Sequence, residues 1–476
     1  MRRYSSRRHG FVYYCKCLLI LAVIAASAIY APDVWLYFHQ IDDDKILADS
    51  VLKNKTFSTP VQEVKAAGLS AYLLEEHSVP IVSISFEFTN AGNAHEDDEK
   101  QGSVQLLAAL LRDGAGEYDA ESFKDTCKEY GIKIGFDEGA DEFSGYLHTP
   151  RQSLDMALKM LNLVMQKPRF DKEFFELRKQ QIKTAVKMNR EKPQAILADE
   201  YAEFIFAGHP YARSEITKLE TLDNIEAADL RDFMKTHLSR ENLIVGFAGD
   251  LSVKEAEDIL KNVFAKLPEK YAGEKMPELS LELGEREHNI KYESAQAMSV
   301  FAVNGTRRNA VDFYPLYLAN YIFGGSGLNS RISQTIREKE GLTYGISTYM
   351  LERNAVAMLQ GSYSSTPDNF RKAQKLLLDE WQKMAKEGVS EAELQQAKNA
   401  LVSSFNLRFA SIGGIAAMLV GMQEHNLGRD FLEKRNDYIK AVTVQEVNAA
   451  AKKYFTVTPD FVNIGIEKEE KNNVRK

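Results

Sequence analysis

Arg337 and Tyr344 close the stretch Arg337-Glu-Lys-Glu-Gly-Leu-Thr-Tyr344, and their types and spacing suit chemistry on a carbonyl group. A guanidinium and a phenol both donate hydrogen bonds, and two such donors aimed at one oxygen stabilise it as it becomes an oxyanion. An Arg near a helix end and a Tyr on the next strand could converge, with Gly341 supplying the turn. The same spacing fits a surface Arg in an ion pair and a Tyr packed on a sheet, so spacing alone leaves both open. Metal chemistry is harder to find. His95 is followed by Glu96, Asp97, Asp98 and Glu99, but such charge runs are usually solvated loops. His148, at a strand end, reads as a satisfied polar group. Gly324-Gly-Ser-Gly327 lacks the Lys of the nucleotide-binding loops and reads as structural. No His-x-x-Glu-His occurs in either direction.

The elements that must hold these residues follow from periodicity. From Pro80 to Phe88 the chain alternates, with Val82, Ile84, Phe86 and Phe88 on one face and Ser83, Ser85 and Glu87 on the other, which predicts a half-buried strand. A polar loop and an apolar helix over 104–111 come next. Residues 142–148 read as a strand and 152–166 as an amphipathic helix. The second half repeats the plan. Tyr146-Leu-His-Thr149-Pro150 and its following helix find a counterpart in Tyr363-Ser-Ser-Thr366-Pro367, and Phe170-Asp171 in Val389-Ser390. Strands and helices alternate irregularly, which predicts an α+β fold of two homologous domains, each a mostly antiparallel sheet packed with helices. The expected bounds are 61–266 and 289–468, joined by a Pro-, Gly- and charge-rich linker at 267–288.

A chain of 476 residues suits two such domains. Its 44% apolar and 27% charged composition is that of a globular protein, and a net charge of −8 argues against nucleic acid as a partner. The N-terminus differs. Arg2, Arg3, Arg7, Arg8 and Lys16 precede an apolar run from Cys17 to Ala31, and Ala26-Ser-Ala28 resembles a cleavage site. Residues 1–39 are therefore an expected export signal, or a membrane anchor if residues 17–38 together supply the ~20 residues of a span. The arginines would keep the N-terminus of an anchored form in the cytoplasm. A polar spacer at 40–60 and a charged tail at 469–476 complete the expected organisation. Cys15 and Cys17 fall in the export segment, which leaves Cys127 without an intramolecular partner after cleavage.

Between Gly102 and Gly114-Ala115 lies Gln105-Leu-Leu-Ala108-Ala109. With Ser330-Arg-Ile-Ser-Gln-Thr-Ile-Arg337 running on to Tyr344, these flanks resemble the pitrilysin/insulinase (inverzincin) zinc peptidases, in their two-domain bacterial form related to mitochondrial processing peptidase. The resemblance covers roughly residues 60–465 and includes a structural turn at His209-Pro210. In that family His-x-x-Glu-His supplies two zinc ligands and the base, with a third ligand from a downstream Glu. Anchored on the two glycines, those positions carry Gln105, Ala108 and Ala109, and the third ligand falls near Ala185. A methyl group cannot bind a metal, and a neutral amide is a poor zinc ligand. The resemblance thus implies a chain that holds no metal and is inactive alone. It also implies that Arg337 and Tyr344 bind substrate and stabilise the tetrahedral intermediate, as in heterodimeric members where one chain brings zinc and the other this pair. The expected partner is a zinc-bearing homologous subunit, with peptides as substrates and a periplasmic or inner-membrane-anchored location. A different class of function, a structural or assembly scaffold in which the pair is a remnant, competes with it.

Overall fold

The computed structural model describes residues 60–214 and 217–466. The expected export segment and charged tail, and all but the last residue of the spacer, lie outside the described residues. Numbering helices of eight residues or more, the first half runs β1 (Gln62–Ala66), β2 (Leu69–Glu75), β3 (Ile81–Thr89), α1 (Ser103–Leu110), α2 (Ala120–Glu129), β4 (Lys133–Glu138) and β5 (Glu142–Pro150). It continues with α3 (Leu154–Gln166), α4 (Lys172–Asn189), α5 (Pro193–Phe206), α6 (Ala227–His237), β6 (Leu243–Gly249) and α7 (Val253–Asn262). The second half holds β7 (Glu287–Ile290), β8 (Ala297–Asn304), α8 (Phe313–Asn320), β9 (Gly345–Glu352), β10 (Ala357–Ser365) and α9 (Pro367–Glu387). It ends with α10 (Glu391–Phe405), α11 (Ile412–Glu424), α12 (Phe431–Ala441), α13 (Val444–Phe455) and β11 (Asp460–Ile464).

The strands form two sheets, ordered β1-β2-β6-β3-β5-β4 and β7-β11-β8-β10-β9. After the edge strand β1, the second order repeats the first strand for strand. In each sheet one pair is parallel, β2 with β6 and β7 with β11, and the remaining pairs are antiparallel. This is the α+β architecture that the sequence predicts.

Each sheet is covered on both faces, and one cover comes from the other half. Helix α11 lies against β6, β3 and β2 of the first sheet, while α5 lies against β11 and β8 of the second. This exchange corrects the reading of β3. Its small polar side chains Ser83 and Ser85 do not face water; they are 2% and 9% exposed. Period-2 alternation marks two unlike faces, but here the second face meets a small-residue helix rather than solvent. The fit is close: a Cβ on Gly246 of β6 would lie 2.4 Å from the Ala416 carbonyl oxygen of α11.

A polar knot ties the halves together. Asp141, between β4 and β5, accepts from the Tyr211 hydroxyl at 2.6 Å and from the Asn354 backbone N–H at 2.9 Å. Asn354 belongs to the β9–β10 turn, and Arg353 beside it lies over the rings of Tyr211 and Phe206. Burial alone would push the Asp141 carboxyl up in pKa. The nearby His95, the Tyr211 hydroxyl and the Asn354 N–H outweigh that and hold it below the usual carboxylate value. A depressed carboxylate contributes stability above its unfolded pKa of about 4 and loses it as pH falls through the folded value. Asp141→Ala, which orphans both donors, is expected to cost about 3 kcal/mol in denaturant unfolding. Asp141→Asn should flatten the acid limb of stability against pH; an unchanged acid limb would contradict this role.

Candidate functional site

Helix α1 carries Gln105, Ala108 and Ala109. It is anchored by Glu96, whose carboxylate accepts from the backbone N–H of Gly102 at 2.9 Å and of Val104 at 2.7 Å. A carboxylate at a helix N-terminus satisfies orphan donors and complements the dipole. Desolvation nevertheless raises the Glu96 pKa. The acidic run is thus only partly a solvated loop: Glu96 is buried, and the His95 ring is enclosed with Nε2 3.9 Å from Asp141. Asp97 to Glu99 remain exposed. Among the described residues no three His, Cys, Asp or Glu side chains cluster as a metal site would require.

Along α1, Val104, Leu106, Leu107, Ala108 and Leu110 are core residues. Gln105 and Ala109, one turn apart, share the half-buried face, and the Gln105 Oε1 atom is enclosed with no hydrogen-bond partner. Helix α4 packs against α1. Its Arg178 grips Asp113, just past α1, with two hydrogen bonds of 2.7 and 2.8 Å. Ala185 lies two turns beyond Arg178, hence on the same side of α4, and is exposed. The buried polar side chains of α4 are Lys179, over the Phe175 ring, and Lys183, paired with Asp223.

Zinc does not fit these residues. It needs three converging N, O or S donors, and Gln105, Ala109 and Ala185 offer one amide and two methyl groups, beside a helix rich in cations. The single orphaned oxygen of Gln105 is too little to hold a dication.

The second candidate region is built differently. Arg337 lies in a wide π-type helical segment, Ser333–Lys339. Ile332 and Ile336 anchor this segment in the second core. Gly341, at φ +63°, then turns the chain so that Tyr344 precedes β9. The Arg337 side chain is 42% exposed, and its ion pair, at 3.6 Å, is with its own neighbour Glu338. Tyr344 is 66% exposed, not packed on the sheet. Gly324 is structural: a Cβ there would lie 2.3 Å from Thr348 Oγ1. Cys127 is half-buried, and burial pushes its thiol up to about 11, which removes it as a nucleophile. His209 bonds the Pro277 carbonyl at 3.1 Å and holds the 267–288 segment.

Two family models match in tandem: Insulinase (Peptidase family M16) over residues 73–217 and Peptidase M16 inactive domain over 224–401. The chain belongs to peptidase family M16. A Helicobacter pylori relative named "Non-peptidase homolog YmxG" is 22% identical over 416 residues, covering 86% of this chain and 95% of that protein. The Bacillus subtilis "Uncharacterized zinc protease YmxG" is also 22% identical, covering 77% of this chain and 88% of its own length. Among solved structures, a Pseudomonas fluorescens peptidase M16 inactive domain matches with a TM-score of 0.79 and 25% identity, over 86% of this chain and 99% of that one. A periplasmic protease, PqqL, from Escherichia coli shares the fold with a TM-score of 0.72 at 13% identity, over 87% of this chain but 46% of that one. The inactive-domain match and the absence of a metal cluster among the described residues make this a non-catalytic M16 member.

Sequence reasoning missed Glu96, the Asp141 knot and Arg331, whose guanidinium clasps Glu393. Ser390-x-x-Glu393, a capping-box spacing that opens α10, signals Glu393 as a cap but not its pairing with Arg331. The M16 chain as it stands should contain roughly no zinc by elemental analysis, whereas Gln105→His, Ala108→Glu, Ala109→His and Ala185→Glu together should bind about one ion per chain. Stoichiometric zinc in the unaltered chain, or none in the fourfold variant, would show the ligand positions to be misplaced.

Proposed function

We propose that this chain is the non-catalytic subunit of a two-chain zinc peptidase. It supplies Arg337 and Tyr344 to a homologous subunit that carries His-x-x-Glu-His. The observation that carries the reading is the exposure of both side chains beside a well-anchored helix: neither is spent on the chain's own core. Arg337 would hold the backbone carbonyl of an enclosed peptide, and the Tyr344 hydroxyl would donate to the oxygen that gains charge. Zinc in the partner would supply the activated water. The lost ligands of α1 fit this division of labour, since one metal per pair suffices. Export of the chain, to the periplasm or to the inner membrane through residues 17–38, belongs to the same reading.

The test uses the full chain purified with a His-x-x-Glu-His homologue from the same organism. Arg337→Ala should lower kcat/KM for a peptide by about 10² to 10³ and Tyr344→Phe by about tenfold. The zinc content and the unfolding midpoint of the pair should stay unchanged. Full activity in both variants would remove the catalytic role and leave the scaffold.

A further inference from the structure

The segment that displays Arg337 is held in an unusual way. Seen from its far side, a cleft of about 530 Å³ separates it from α9 and α10, lined by Arg331, Thr335, Lys339, Glu380, Lys383 and Glu393. Ile332 and Ile336 fix the inner side of the segment in the second core, and on the cleft side the ties are polar. Arg331 bridges the cleft with two hydrogen bonds to the Glu393 carboxylate, Nε to Oε1 at 2.7 Å and a terminal nitrogen to Oε2 at 2.8 Å. Thr335 reaches Glu380 at 3.4 Å, and Glu340 pairs with Lys372 at 2.8 Å. These ties run to α9 and α10, and Arg337 takes no part in them. Only the Arg331 tie is bidentate and largely buried, with 17% of the Arg331 side chain exposed. Glu393 is itself fixed, accepting from the Ser390 N–H at 2.8 Å and its hydroxyl at 2.7 Å. Arg331 and its Ser390 bonds hold the Glu393 carboxyl down to about 2. The wide winding of Ser333–Lys339 begins two residues after Arg331, and such windings are rare overall but frequent at functional sites.

We propose that Arg331 is a positioning residue for Arg337: its bidentate clasp on Glu393 sets the direction and winding of the segment that presents Arg337 to a peptide carbonyl. The proposal rests on the subunit reading above for its catalytic consequence, but not for its structural one. A shift of an ångström in a substrate-holding group can cost about 10²-fold in rate, so loosening the clasp should act on kcat.

Two readouts separate the two layers. In the full-length chain alone, hydrogen exchange by mass spectrometry should rise roughly tenfold or more across residues 333–340 in Arg331→Gln and in Glu393→Gln. Exchange in the first sheet should stay unchanged, and Arg331→Lys should be intermediate. In the reconstituted pair, Arg331→Gln should lower kcat roughly tenfold to a hundredfold with little change in KM, and have no further effect once Arg337→Ala is present. Unchanged exchange over 333–340, or an equal loss of kcat in the Arg337→Ala background, would overturn the positioning role. Raised exchange with no peptidase activity in any pair would instead sink the subunit reading and leave the clasp standing as a property of the fold.

Discussion

The close seating of α11 on the first sheet, matched by α5 on the second, is the constraint on which the rest of the structure depends. Ile415, Ala416, Leu419 and Met422 of α11 are buried with Leu74 and Ala248 of the sheet. Gln423 donates to the Val245 carbonyl at 2.8 Å. On the other side Leu197, Tyr201 and Ile205 of α5 pack with Val300, Ala302 and Val462. Each sheet therefore buries its second face with a helix from the opposite half. A sheet with two apolar faces cannot leave one in water, so neither half is complete without the other. Backbone atoms approach closely at Gly246, which leaves little freedom for one half to turn against its neighbour. The Asp141 knot adds polar specificity to the same junction.

That frame holds its shape without a metal cluster among the described residues. Helix α1 keeps its apolar residues toward the core and its Glu96 cap, while Gln105 and Ala109, which share its outer face, offer an amide and a methyl group. Function in this fold lies in side chains grafted on a stable frame, and one set can be lost while another persists. The Arg337 segment is anchored by Ile332, Ile336 and Arg331, and nothing in that anchoring passes through α1. The two regions can therefore change independently.

Much of this was legible in the residues. The strands and helices around Tyr146–Pro150 and Tyr363–Pro367 follow the duplicated pattern, because hydrophobic period reflects a local geometry. What stayed hidden depends on distant partners. Ser83 and Ser85 look like solvent-facing residues until α11, more than three hundred residues later, is laid over them. Glu96 sits in a run of seven polar residues, 95–101, and only the fold reveals that one of the acids turns inward to cap a helix. Arg331 pairs with a residue 62 positions away, a distance over which spacing carries no information. Arg337 and Tyr344 could be named from their motif, but their exposure could not.

The most direct measurement compares the full chain alone with the full chain mixed with a zinc-bearing His-x-x-Glu-His homologue from the same organism, recording bound zinc and peptide cleavage in each. The account predicts no zinc and no cleavage by the chain alone, and cleavage by the mixture well above that of the homologue alone. Zinc-dependent cleavage by the isolated chain, or a homologue whose activity the chain does not change, would contradict it.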